Sequence, residues 1–444
     1  MMFYKNKYLL KKIIALLLVF FMFSFLGTLF TNLNLLRYSL IVNSNRLIGL
    51  NLILFSSLLI IKDITNVKVK KRLFLKYIIH ILLVVVAILG IISVLSADSS
   101  YFAFYGVNDN YFGINYNDGY LTLLAYFGFF MGAFSLEKST QKKIVIICSS
   151  FSYLVVLIGL CSTLLHKMIP ISDLINIKRS LFFNSNHYGY FLTIALLLSM
   201  YNLIKDNKLR IFHLIGFTLL SASLIYSNSR GALLSISITM ITYIVFININ
   251  KKFKNRFSYI PILVLVLTTI LVNVIDENIS TTGRYQSVID DAENIISNPD
   301  GSDTSGSGRW KLWKDGFILF TQEPLIGQGI NGVYYTVESD DSYFIRVHNE
   351  YLEYALTYGL FVLVLYLFVI GIIGMEFLTN LHDKSFFDFM LALAIFAYLL
   401  SAIFGNTKPY TTPYFFMCLG FLNSSSSLNK NINIYDEGEK NEVH

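Results

Sequence analysis

Charge is what this chain has least of. Asp, Glu, Lys and Arg make up 14% of its 444 residues, against roughly 25% in a soluble domain. Hydrophobic residues make up 55% and aromatics 16%. A mean hydropathy of +0.59 excludes an ordinary water-soluble fold, and with it the habit of dividing length into soluble domains. Cysteine is scarce too. Cys148, Cys161 and Cys418 all fall in apolar stretches, which excludes a disulfide or metal framework and predicts buried packing residues. The formal charge of +7 sits on no basic soluble face, so no nucleic-acid partner is expected.

Long apolar runs stand in place of charge. A bilayer core takes about 20 residues, and such runs recur near 13–30, 46–62, 77–97, 119–136, 143–166, 188–204, 210–226, 231–248, 257–275, 351–375, 386–406 and 409–422. They predict an all-α polytopic membrane protein of about twelve transmembrane helices, with aromatic belts at the interfaces. The first run follows "MMFYKNKYLLKK" and no small-residue cleavage site comes after it, so it reads as an anchor rather than a signal peptide.

Lys and Arg set the orientation. With the amino terminus inside, that end, "KDITNVKVKKRLFLK", "EKSTQKK", "KDNKLR", "NKKFKNR", a short segment after Glu376 and the tail hold about 23 of the 35 Lys and Arg. The longer loops opposite hold about 12, and Asp98–Gly119 holds none. Both termini are therefore expected in the cytoplasm. The expected division is nine helices in 1–275, an extracytoplasmic catalytic loop with short amphipathic helices in 276–350, three helices in 351–422 and a disordered tail in 423–444.

The outer segments carry the polar chemistry. The first, "TNLNLLRYSLIVNSNR", has no Asp or Glu, the residues with which many lipid-linked sugar transferases hold a divalent metal there. The next, "ADSSYFAFYGVNDNYFGINYNDG", suits an interfacial belt or stacking on sugar rings. In the third, Lys178 and Arg179 stand outside against the charge bias, and Asn184, Asn186 and His187 sit at the mouth of a span. "YSNSRGALLS" then places Arg230 at a membrane edge among small residues that let helices approach. It either snorkels to headgroups or faces a polar cavity.

Within the long loop, "RYQSVIDDAENIISN" puts Val288, Ile289, Ala292, Ile295 and Ile296 on one helical face. "NPDGSDTSGSG" reads as a linker, since the Glu that closes a calcium loop is missing. "GRWKLWKDGFILF" begins a helix at Arg309 and lines up Trp310, Trp313 and Phe317 as for an interface. "GQGING" spaces Gly327, Gly329 and Gly332 like a dinucleotide motif but has no βαβ unit around it. It reads as a tight turn, or as a nest of backbone N–H groups for a phosphate. His348 falls in the first turn or cap of the helix that becomes the tenth span. The helix dipole there disfavours the imidazolium, and a neutral imidazole is what a general base needs. Glu350 and Glu353 are within reach along that helix, Tyr351, Ala355 and Tyr358 continue the face, and Gly359 permits close packing. The plainer reading is an interfacial histidine.

Four stretches in this order, "NSNHYGYF", "SNSRGALLS", "GRWKLWKDG…EPLIGQGINGVYY" and "HNEYLEYALTYGL", resemble the O-antigen ligase and Wzy-type polysaccharide polymerase family of bacterial envelope glycosyltransferases, over roughly residues 150–405. The resemblance implies transfer of a glycan from an undecaprenyl-diphosphate carrier to an acceptor sugar hydroxyl, with no metal and no cofactor. It implies that Arg230 and Arg309 grip the diphosphate through planar, bidentate guanidinium groups and stabilise it as it leaves, and that His348 accepts the acceptor's proton. Arg179, Asn186, Arg284, Arg346 and Glu350 are secondary candidates. The implied partners are the lipid-linked donor, the glycan acceptor, membrane lipids and other polysaccharide assembly proteins. The implied setting is capsule or exopolysaccharide biosynthesis in a bacterial plasma (inner) membrane. The Lys-, Asn- and Ile-rich composition carries no sign of an outer membrane, so a polymerase is favoured over a ligase. A transporter or flippase is the rival, since twelve spans suit it. However, transporters bury ionisable residues at mid-membrane, and only His80 and His213 lie well inside spans. A non-catalytic sensor would need an inner signalling domain, which the chain does not offer.

Overall fold

The computed structural model describes residues 2–30, 34–66, 70–97, 99–109, 114–116, 119–165, 175–182, 184–329, 346–406 and 408–424. Its helices in chain order are α1 (Met2–Ser24), α2 (Asn34–Asn66), α3 (Lys70–Ser96), α4 (Ser100–Tyr105), α5 (Tyr120–Phe134), α6 (Lys138–Leu165), α7 (Ser185–Lys205), α8 (Arg210–Ser227), α9 (Arg230–Ile249) and α10 (Ile260–Ile275). There follow α11 (Thr281–Ser297), α12 (Arg309–Gln322), α13 (Glu350–Tyr358), α14 (Leu360–Thr379), α15 (Phe386–Ala402) and α16 (Thr412–Ser424). A two-stranded antiparallel hairpin, Val107–Asp109 with Ile114–Tyr116, interrupts the series after α4.

Among the described residues, eight helices are long and apolar enough to cross a membrane, and α5, α10 and α15 are shorter apolar helices. The protein is thus a polytopic helical membrane protein by length and composition. Two expected boundaries are corrected. The first outer segment is not a loop from Asn34 onward, because α2 already runs through it. The tenth span is not one helix: the chain breaks at Gly359 into α13 and α14. The tail beyond Ser424 and Gly332 lie outside the described residues.

The break at Gly359 follows from backbone crowding. Gly359 has φ +83° and a side-chain carbon there would stand 2.1 Å from the Leu325 carbonyl oxygen; Gly327, at φ +81°, would meet the Gly359 nitrogen at 2.5 Å. Only glycine combines that φ with that proximity. The Gln328 amide donates to the Leu356 carbonyl and the Leu360 amide to the Pro324 carbonyl, both at 2.8 Å. Gly327 and Gln328, the described start of the Gly-rich motif, are therefore a tight turn locked against the α13–α14 joint.

Helix α7 is the hub. Every residue from Tyr188 to Met200 is buried, and it packs on α6, α8, α9 and α15. At its start, a side-chain carbon on Gly189 would stand 2.7 Å from Ser229 Cβ and 2.9 Å from Ala232 Cβ, so the small residues around Arg230 do bring α7 and α9 together. Serines and threonines in the apolar helices turn back to carbonyls one turn earlier, as Ser149, Ser221, Ser235 and Thr239 do, which satisfies their hydroxyls inside the bundle.

Three side-chain expectations change. Cys161 is exposed on the outside of the bundle, unlike the buried Cys148 and Cys418. His213 is not deep in a span but one turn into α8, with its Nε2 3.6 Å from Asp206 and its Nδ1 3.1 Å from the Tyr153 hydroxyl. In α12, Trp310 and Trp313 turn towards the protein: Trp310 donates to the Pro299 carbonyl at 2.7 Å, and the Trp313 ring lies 6.4 Å from that of Phe404. The exposed apolar pair is Phe317 and Ile318.

Candidate active site

Three helices begin at one end of the bundle around a recess of about 530 Å³. Helix α7 contributes Asn184 to Asn186, α9 contributes Arg230 and Gly231, and α12 contributes Arg309. Local sequence explains each start. Asn184 caps α7 by accepting from the His187 amide, and Asn228, at φ +57°, reverses the chain within two residues between α8 and α9. Lys178, Arg179 and Arg284 complete the wall, so five cations and no carboxylate line the recess among the described residues. Unsatisfied N–H groups at helix starts add partial positive charge. Such a place binds anions.

The two arginines expected to act together do line this recess, but in different states. The Arg230 Nη1 donates to Asp291 Oδ2 at 2.7 Å and to Ser287 Oγ at 3.3 Å, and Nη2 donates to Ser307 Oγ. Arg230 is thus a strut tying α9 to α11 and to the turn before α12. Among the described residues, Arg309 donates one Nη1 bond, to the Gly306 carbonyl at 3.0 Å, and its buried Nε has no acceptor. A buried charged donor left unpaired is costly, and an anion in the recess would supply the missing acceptor. Of the secondary candidates, Arg179, Asn186 and Arg284 share the recess.

Arg346 and Glu350 do not line it. Arg346 Nε donates to Glu353 Oε1 at 2.6 Å. Glu350 turns inward and accepts from the Tyr366 hydroxyl at 2.8 Å and the Tyr398 hydroxyl at 2.7 Å. Burial pushes its carboxyl up to about 7, against those two donations. Neither glutamate is therefore placed to orient His348.

His348 itself is not in the helix or its cap. The cap of α13 is Asn349, which accepts from the Leu352 amide at 3.1 Å, and His348 precedes it at φ +53°. Water reaches its ring, and among the described residues its imidazole has no hydrogen-bond partner. Crowding by protein atoms and then the charges of Arg309, Lys408 and Arg346 hold it below the ordinary histidine range. Burial and the three cations act in the same direction, so the imidazole is held neutral at physiological pH. Burial and then these cations, rather than the expected helix dipole, hold it there.

Two features had no counterpart in the sequence reading. Among the described residues, four non-glycine residues have positive φ, namely Ser180, Asn228, Ser307 and His348. Asn228 and Ser307 line the recess and Ser180 follows Arg179. Backbone strain of this kind gathers at functional sites. The second is Lys408, 5% exposed between α15 and α16. Its ammonium lies 3.3 Å from the centroid of the Tyr190 ring. Burial pushes it well below the ordinary lysine range, with Glu350 opposing. A lone lysine in "GNTKPYTTPY" gave no sign of its burial. Among the described residues, no group of three or more His, Cys, Asp or Glu stands together as a metal site.

The fold and the recess define a polytopic helical membrane protein with a cationic site at one end of its bundle. Residues 215–367 match the family described as O-antigen ligase. The match takes in Arg230, Arg284, Arg309, Arg346, His348 and Glu350. It is narrower than the roughly 150–405 expected, leaving out Arg179, Asn186 and the start of α7. No curated protein matches the chain.

Proposed function

We propose that the protein is a membrane glycosyltransferase that moves a glycan from an undecaprenyl-diphosphate carrier to a sugar hydroxyl, acting as a polysaccharide polymerase. The observation that carries this reading is the acid-free recess in which Arg309 keeps an unpaired buried N–H, with His348 electrostatically coupled to the same arginine. In the proposed step the acceptor oxygen attacks the anomeric carbon, and His348 takes the hydroxyl proton. The carbon–oxygen bond to phosphate breaks with its electron pair on the diphosphate. Arg309 and Arg230 stabilise that charge as it develops. The step is written without a metal, and transfer is expected to be insensitive to chelators. The test is to incubate purified protein with undecaprenyl-diphosphate oligosaccharide and follow product length. A ladder of products supports polymerisation, transfer only to a different acceptor supports a ligase, and no transfer with intact donor contradicts the reading.

The reading also requires the recess to face away from the cytoplasm, with the twelve apolar segments all crossing. A cysteine at Thr304, which is exposed where its neighbour Ser305 is buried, is expected to react with an impermeant thiol reagent on intact cells. One at the exposed Lys251 is expected not to react. The reverse pattern would put the site on the wrong side for the lipid-linked donor.

A further inference from the structure

Lys408 is the charge at this end of the bundle that the proposed step leaves unused. A buried ammonium is expensive, and an aromatic face returns only part of that cost. Among the described residues Lys408 forms no ion pair; what it has is the face of Tyr190. Stability alone therefore does not account for the placement.

The surroundings of Tyr190 give the reason. Its hydroxyl donates to the Phe404 carbonyl at 3.0 Å. The same hydroxyl is 2.7 Å from where a side-chain carbon on Gly231 would stand, immediately after Arg230. The Phe404 ring lies against Trp313, one turn beyond Arg309 in α12. On the other side, the Lys408 amide donates to Thr412 Oγ1 at 2.7 Å. That hydroxyl pairs with the Tyr398 hydroxyl at 2.8 Å, and Tyr398 holds Glu350, two residues after His348. One buried connection between α15 and α16 thus reaches the second residue of α9, the second turn of α12 and the head of α13.

We propose that Lys408 is a positioning residue for the transfer reaction: seated on Tyr190, its ammonium fixes the α15–α16 connection so that Arg230, Arg309 and His348 keep their mutual spacing. It also adds to the positive field that keeps His348 neutral, together with Arg309 and Arg346. The other ionisable groups coupled to this cluster are Glu350, Glu353 and His187.

The inference rests on the glycosyltransferase reading, and full-length protein with undecaprenyl-diphosphate oligosaccharide tests both. Lys408→Met removes a buried charge at nearly constant volume. Its thermal midpoint is expected to match or exceed that of the wild type, while kcat/KM falls at least about tenfold. The acid limb of its pH profile is expected to move towards neutrality, since one cation facing His348 is gone. Lys408→Arg, which stacks on an aromatic ring equally well, is expected to recover most of the rate. Wild-type kinetics and pH profile in Lys408→Met would overturn the proposal. So would a fold lost in Lys408→Met, or a folded Lys408→Arg that is no better than Lys408→Met. If the wild type itself transferred no glycan from intact donor, the glycosyltransferase reading would fail instead; if the wild type were active and Lys408→Met equally active, only this inference would.

Discussion

Replacing His348 with alanine is expected to slow transfer by about 10²–10⁴-fold, the usual range for a general base, while leaving donor binding largely intact. The base acts on the acceptor hydroxyl, whereas the donor is held by the arginines of the recess. The wild-type pH profile follows from the direction of the His348 shift. Its imidazole is held below its ordinary value of about 6.5, so activity falls only as acid protonates it, and the histidine itself imposes no slope across neutral pH. A limb near 7 has another owner. The Glu350 carboxyl is pushed up to about 7 by burial, and such a limb is expected to vanish in Glu350→Gln and persist in His348→Gln. His348→Gln further separates orienting from proton transfer, since it keeps a hydrogen bond without basicity. A His348→Ala rate above about a tenth of wild type would leave the histidine as a positioning residue.

What the sequence made legible is what depends on short-range periodicity and composition. Apolar runs located the helices because a bilayer imposes both length and hydropathy. Arg309 could be placed at a helix start because the Gly-rich linker before it has to end somewhere. The family resemblance pairs Arg230 with Arg309 and offers Arg179, Asn186, Arg284, Arg346 and Glu350 as secondary candidates; that Arg346 and Glu350 stand outside the recess the others line is a matter of tertiary packing. The rest was hidden for physical reasons. The state of Arg230 depends on Asp291, 61 positions away, a contact no local pattern encodes. The inward turn of Glu350 depends on Tyr366 and Tyr398 from two other helices. Lys408 left no mark in the sequence because burial of a connection between helices leaves no periodicity. The joint at Gly359 was visible as a glycine that packs closely, but the break it makes needed the facing Gly327 turn.

The contrast between Arg309 and Arg230 yields the other large effect. Arg309→Lys keeps a positive charge but loses the planar fork and the buried Nε donor. Transfer is expected to fall by about 10²–10³-fold, the range seen when one donor to a developing oxyanion is removed. The fold should hardly respond, because among the described residues the tie Arg309 makes is a single bond to the Gly306 carbonyl. Arg230→Lys is expected to behave differently. Lysine can keep the charge contact with Asp291 but cannot also reach Ser287 and Ser307, so α11 and the turn before α12 loosen from α9. Hydrogen bonds to charged groups contribute about 1.5–3 kcal/mol each, so a lower thermal midpoint should accompany the lost activity. Asp291→Asn tells strut from clamp: it weakens the ion pair while leaving the guanidinium in the recess, so donor affinity should persist as thermal stability drops. Comparing melting curves, donor binding and turnover across the three variants checks the assignment. Near-normal turnover in both lysine variants would mean that neither guanidinium forks a phosphate, and the recess would then be a place where arginines meet lipid headgroups.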